Sequence, residues 1–189
     1  MKAGARALGV AFSGDDADAR LATCAAVVRA DRVVDGLALD ARAVRDGAAT
    51  AAVSSLLDRV DRPDATHVLV AGVAPAWFDV LALEAIHDAA GRPVLAVSFE
   101  ASPGLGDAID REFSGDAHES RRARYDALPP RRRVETAETR LFVRAVGCPS
   151  DEAARVVRAH TPEGQGRPEP LRVARLAARA GRALDAGDR

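Results

Sequence analysis

The order of its apolar runs constrains this chain more than any single motif. Three runs come first in quick succession: Ala5–Phe12 (ARALGVAF), Leu21–Ala30 (LATCAAVVRA) and Arg32–Asp40 (RVVDGLALD). The second and third are separated by little more than Asp31, which is hairpin spacing. The spacing predicts an antiparallel meander of three strands. The texture then changes. Ala52, Val53, Leu56, Leu57 and Val60 recur at helical intervals, and Pro63 ends that helix. A buried strand is predicted over Thr66–Val73. The segment WFDVLALEAIHDAAG, starting at Trp77, predicts a helix with Val80, Leu81, Leu83 and Ile86 on one face and Gly91 as its stop. RPVLAVSFE reads as another buried strand. Strands that alternate with helices imply parallel pairing through right-handed crossovers.

After Glu100 the sequence is more polar. SPGLGDAIDREF starts like a helix, and the charged stretch SGDAHESRRARYDALPPRRRVETAETR reads as a helix followed by a loop, broken at Pro129-Pro130. Arg140–Cys148 is one more strand. Ser150 is placed to cap a helix with acids in its first turn. LRVARLAARAGRALD, from Leu171, is the last helix. The expected fold class is therefore α/β, with the element order of a ribonuclease H-like mixed sheet: an antiparallel three-strand meander, then parallel strands with crossover helices. At 189 residues, one core is well supplied and two full domains would be cramped, so a single domain over 1–189 is expected.

Composition narrows the classes. The chain is 48% hydrophobic and 29% charged, which suits an ordinary globular protein, and 4% aromatic, so its core must be mostly Val, Leu and Ala. A net charge of −1 excludes a generally basic nucleic-acid coat but not a local basic face. Lys2 is the only lysine, so positive charge is carried by arginine. A GC-rich genome accounts for that blandly; phosphate recognition accounts for it functionally. Cys24 and Cys148 make no metal-ligand spacing and are expected as free thiols. No signal-peptide core and no membrane-length apolar run is present, so a cytoplasmic protein without a membrane partner is expected.

The strand within HVLVAGVAPAWF poses the functional question. Ligands of open α/β sheets gather outside the C-terminal ends of strands. This tip offers alanine, glycine, valine and proline, and no acid, base or nucleophile. The segments RALGV, RDGAAT, HVLVAGVAPAWFDVLALEAIHDAAGRPVLAVSFE and RPEPLRVARLAARA follow in an order and spacing that resemble the archaeal family called domain of unknown function 99, a relative of endonuclease V. The likeness runs from Arg6 to about Ala180, and PEPLRVA (Pro168–Ala174) is its most specific part.

The resemblance implies a metal-dependent nuclease acting near deaminated bases, with carboxylates at strand ends holding Mg²⁺. It also implies where this chain departs. Ala11 stands where the first carboxylate is expected, Ala71 where an aspartate precedes the glycine, and Arg175 where relatives have histidine. Asp46, before Gly47, is the sole candidate for a retained acid, and is equally suited to cap the following helix. The first expectation is thus a non-catalytic endonuclease V-like protein that lost its metal ligands, needs no cofactor, and binds nucleic acid or a protein partner. The alternative is an active Mg²⁺-dependent endonuclease using Asp46, Asp15 or Asp16, and Glu100. A further alternative is an interaction subunit with a contact surface around Trp77 and Phe78.

Candidate nucleic-acid contacts are Arg121, Arg122, Arg124 and Tyr125, in a run that continues to Arg131, Arg132 and Arg133, with Arg172 and Arg175 on the last helix. Glu112, Asp116, Glu119 and Asp126 lie among them and would blunt the field. Glu169 is expected to pair with Arg172 or with a backbone amide and so fix the turn into the last helix. His67, His87, His118 and His160 share no close spacing and make no metal motif.

Overall fold

The structure, a computed structural model, describes residues 2–14, 20–101 and 104–187. Asp15 and Asp16 lie outside the described residues. Seven strands form one sheet: β1 (Arg6–Ser13), β2 (Arg20–Arg29), β3 (Val34–Ala43), β4 (Ala65–Ala71), β5 (Val94–Ser98), β6 (Arg132–Glu135) and β7 (Arg140–Val146), in the order β3-β2-β1-β4-β5-β7-β6. The expected meander is present, β1 with β2 and β2 with β3 both antiparallel. The expected parallel section is β1-β4-β5. Beyond it, β7 returns antiparallel to β5 and pairs with β6.

β1 shows why the sheet is covered on both sides. Its residues alternate between large (Leu8, Val10, Phe12) and small (Ala7, Gly9, Ala11), and successive side chains of a strand point to opposite faces. The large set packs under α1 (Ala48–Val60), α2 (Leu83–Ala90) and α3 (Gly106–Glu112), through Ala49, Val53, Leu56, Leu83, Ile86 and Ile109. The small set lies under α5 (Ser150–His160) and α6 (Glu169–Gly187). Small residues there let α6 come very close. A Cβ on Gly9 would overlap the backbone of Pro170 at the start of α6. The remaining helix, α4 (Gly115–Asp126), buries none of its residues.

Several expectations are corrected at the level of elements. The helix expected from Trp77 begins only at Leu83, because residues 76–79 form a tight turn. The expected loop after Pro130 contains β6. Its pattern Arg-Arg-Val-Glu buries only Val134, so no apolar alternation marks it. Ser150 is the first residue of α5 and Pro149 sits at the cap, with no side-chain cap bond, while Asp151 and Glu152 do occupy the first turn. Asp46 does not cap α1. The cap position is Gly47, at φ 77°, and the capping carboxylate comes from the distant Asp79.

Part of the arginine content serves the sheet edge. On β3, Arg62 donates to the Asp35 carbonyl at 3.2 Å, Arg59 to that of Leu39 at 2.7 Å and Arg20 to that of Ala41 at 3.1 Å. An edge strand with free carbonyls invites pairing with another chain, and capping these groups with charged side chains opposes it. Both cysteines are free. Cys24 is buried, and burial pushes its thiol up to about 11. In native protein at mildly alkaline pH, a thiol reagent is expected to label half-buried Cys148 first and Cys24 only on denaturation; equal labelling rates would contradict this packing. Among the described residues, no helix is long and apolar enough to cross a membrane.

Candidate functional site

β1 and β4 are parallel neighbours, with Gly9 beside Leu69 and Val10 beside Val70, so their C-terminal ends emerge together. The next residues are Ala11 and Ala71. Ala11 is fully buried in a cluster with Cys24, Ala26, Val28, Ala174 and Ala178, and Ala71 packs against that cluster. The two positions just past the parallel pairing of β1 with β4, where the resemblance expects metal carboxylates, are thus methyl groups roofed by α6. Gly72 follows at φ 78° and its N–H donates to the Val97 carbonyl at 2.8 Å, closing the tip.

Two features set the start of α6. Gly9 admits Pro170, and Arg172 makes a two-pronged pair with Glu169 at 2.7 and 2.6 Å. This is the pairing expected from sequence, and it holds the Glu169 carboxyl below its usual range. From this anchored start, α6 carries Arg175 to the strand ends.

There a cleft of about 320 Å³ opens, lined by Gly72 to Ala74, Ser98 to Glu100, Leu105 and Tyr125. Four arginines line it: Arg131, Arg144, Arg167 and Arg175. Three of them lie on aromatic faces: Arg167 over Phe99 at 4.2 Å, Arg131 over Phe142 at 4.0 Å and Arg144 over Tyr125 at 5.5 Å. Arg131 also donates to the Glu100 carbonyl, and Arg144 to that of Pro129. Tyr125 is itself fixed, its hydroxyl accepting from the Leu105 N–H at 2.9 Å.

Rings and carbonyls orient guanidinium groups without neutralising them. Among the described residues, no carboxylate forms an ion pair with Arg144, Arg167 or Arg175, and Glu100 is the one acidic residue of the lining. Desolvation, then repulsion from Arg179 and Arg167, lowers the pKa of Arg175, which nonetheless stays charged at neutral pH. Among the described residues, the cleft lining is therefore pre-oriented and predominantly cationic.

The residues singled out from sequence divide between this cleft and a different role. Tyr125, Arg131 and Arg175 line it, as does Glu100. Arg121 lies over Phe113 at 4.3 Å. Arg122 is held by Asp126 at 2.9 Å and Asp110 at 3.0 Å. Arg124 donates to Asp46 and to Ser120, and approaches Asp79 at 3.6 Å. Arg172 is taken by Glu169. Asp46 is consequently an ion-pair partner, its carboxyl held below the usual range by Arg124, and it does not line the cleft. Arg144 and Arg167 were not found by sequence reasoning. Arg144 carried a signal, a charge inside an apolar strand; Arg167, in a polar loop, carried none. The role of Asp79 had the same kind of signal, a lone acid between Phe78 and Val80.

A divalent cation requires converging oxygen ligands. Among the described residues, no three of His, Cys, Asp and Glu converge to hold a metal ion. The described lining brings four guanidiniums and a single carboxylate, Glu100, to the cleft.

A mixed sheet of this order, with helices on both faces and a cleft at the parallel strand ends, is a ribonuclease H-like fold. Solved structures bear this out. Endonuclease V from Bacillus subtilis superimposes with a TM-score of 0.67 at 13% identity, over 98% of this chain and 84% of that one. Ciona intestinalis endonuclease V, in complex with a 24mer DNA containing an inosine followed by a ribo-adenosine, gives 0.59 at 11% identity, over 95% and 87%. A protein of unknown function from Archaeoglobus fulgidus gives 0.78 at 21% identity, over 93% and 96%. The chain belongs to the endonuclease dU family, whose model matches residues 3–181. A UPF0215 protein of Thermococcus kodakarensis is 36% identical over 115 residues, 60% of this chain and 56% of that relative's length.

Proposed function

We propose that this protein is a non-catalytic member of its family that holds nucleic acid in the arginine-lined cleft at the ends of β4 and β5. The observation that carries this reading is the exchange of character at one place. Methyl groups from Ala11 and Ala71 follow the parallel pairing of β1 with β4, and guanidiniums from four segments line the cleft that Ala71 borders. An alanine supplies no lone pair to a cation, and nearby positive charge opposes its binding. The same guanidiniums suit a phosphodiester, which they meet with paired N–H donors. The fold family includes a member solved on DNA, the Ciona endonuclease V, which supports the choice of ligand class.

The test is binding of a labelled oligonucleotide in EDTA across a salt series. Affinity is expected to fall steeply with salt, and Arg175→Glu to weaken binding at least tenfold and flatten the salt slope by about one. Loss of binding in EDTA would overturn this reading, and Mg²⁺-dependent cutting of inosine- or deoxyuridine-containing strands that Glu100→Gln abolishes would establish the active-nuclease alternative instead. That alternative is weakened by the capture of Asp46 by Arg124. The interaction-subunit alternative is weakened because Phe78 turns inward onto Phe113 instead of joining Trp77 on the surface.

A further inference from the structure

We propose that Trp77 is a stacking platform for an unpaired nucleobase, so that the site takes single-stranded in preference to duplex nucleic acid. The proposal rests on the nucleic-acid reading of the cleft and adds the residue that senses an unstacked strand.

Trp77 is the only tryptophan of the chain, and 51% of it is exposed. Its backbone is held in an unusual way. The Asp79 N–H donates to the Ala76 carbonyl at 2.8 Å, closing a turn whose central residues, Trp77 and Phe78, have φ of 42° and 57°. Two successive positive φ values are the sign pattern of a type I′ turn, which normally takes Asn-Gly. Bulky side chains disfavour that region, and such strain persists only where the surroundings over-determine it.

Here they do. Phe78 packs edge-on against Phe113 with ring centroids 5.6 Å apart. Both oxygens of the Asp79 carboxylate accept from backbone N–H groups at the start of α1, those of Gly47 and Ala49, at 2.8 Å each. The Leu81 N–H donates to the Val73 carbonyl at 2.8 Å. Every neighbour in this turn is anchored to the protein. The outcome is one large flat ring turned outward.

Its position favours a base as the partner. Ala74 lines the cleft, and Trp77 is three residues further, a span of at most about 11 Å. A strand with a phosphate among the guanidiniums can therefore lay a neighbouring base on the indole. The rings inside the cleft are half-buried, and each already carries a guanidinium on one face. In a duplex the base faces are stacked on one another, and only an unpaired base has a face to offer.

The sole tryptophan makes the test direct. Its emission is followed while a labelled oligothymidylate of about 12 nucleotides, within the usual span of one such site, is titrated against wild type, Trp77→Gly and Trp77→Phe. A duplex of the same length is the comparison. The wild-type emission is expected to be quenched by the single strand in step with its anisotropy, and much less by the duplex. Trp77→Gly is expected to weaken single-strand binding about 5- to 150-fold with little change for duplex, and Trp77→Phe to retain most of it. Glycine suits the positive φ, so the glycine variant should melt no earlier than wild type, which separates lost stacking from lost folding. Binding of the single strand by wild type without quenching, or equally well by Trp77→Gly, overturns the stacking role and leaves the cleft intact. No binding of either nucleic acid by wild type overturns the nucleic-acid reading itself, and this proposal with it.

Discussion

Gly9→Ala is expected to destabilise the protein by about 3 kcal/mol or more, at or beyond the upper end of overpacking costs. The added methyl would overlap the carbonyl group of Pro170 and lie 2.6 Å from the Pro170 Cβ. Neither neighbour is the end of a flexible side chain. β1 is an interior strand with both faces covered, and α6 starts at that point, so relief requires moving a helix that also carries Ala174, Ala178 and Arg175. The measurement is the midpoint of urea unfolding at constant slope. Gly36→Ala is the control. A Cβ there meets only Val27, its Cγ2 at 3.7 Å and its Cβ at 3.9 Å, and the change should be near neutral. If the two variants unfold at the same midpoint, the close approach of α6 to β1 is wrong. Retained stability with lost oligonucleotide binding would instead mean that α6 had shifted and taken Arg175 away from the cleft.

Asp79→Ala has the second largest expected effect, about 3 kcal/mol. Asp79 is 3% exposed, and its two oxygens satisfy the N–H groups of Gly47 and Ala49. Hydrogen bonds to charged groups contribute about 1.5–3 kcal/mol each, and a buried donor left alone carries its own penalty. The bonds also sit at a helix N-terminus, where negative charge is favoured. Asp79→Asn keeps one acceptor oxygen and should recover about half the loss. The substitution has a local signature as well. With the carboxylate gone, one of the anchors of the strained turn is released, and the fluorescence anisotropy of Trp77 should fall before global unfolding begins. An unchanged anisotropy would show that Phe78 and the Leu81–Val73 bond hold the turn unaided.

The strands and helices were legible wherever one physical rule dominated. Residues 21–40 alternate apolar runs with a turn, and β2 and β3 followed from that. The pairing of Glu169 with Arg172 was legible because three residues along a helix is contact distance. β6 was not legible, since a short strand near the sheet edge needs only one buried residue. The turn at Trp77 and Phe78 was not legible either. Val80, Leu81, Leu83 and Ile86 keep a helical period, and nothing local reveals that Asp79 is tied to a helix some thirty residues earlier. The candidate site shows the same division. The arginine run from Arg121 drew attention because it is dense, but an acid four residues along takes Arg122, and the distant Asp46 takes Arg124.

By itself, the sequence determined the succession of elements, the large and small faces of β1, and the absence of carboxylates at Ala11 and Ala71. These are properties of residue type and short-range period, which a chain carries before it folds. Only the tertiary structure decided which arginines share the cleft. Arg131, Arg144, Arg167 and Arg175 come from a loop, a strand, another loop and a helix, and they meet because the sheet brings the ends of β4, β5 and β7 together. A charge's effect depends on which groups lie within a few ångströms, and that distance is set by packing between segments far apart in the chain.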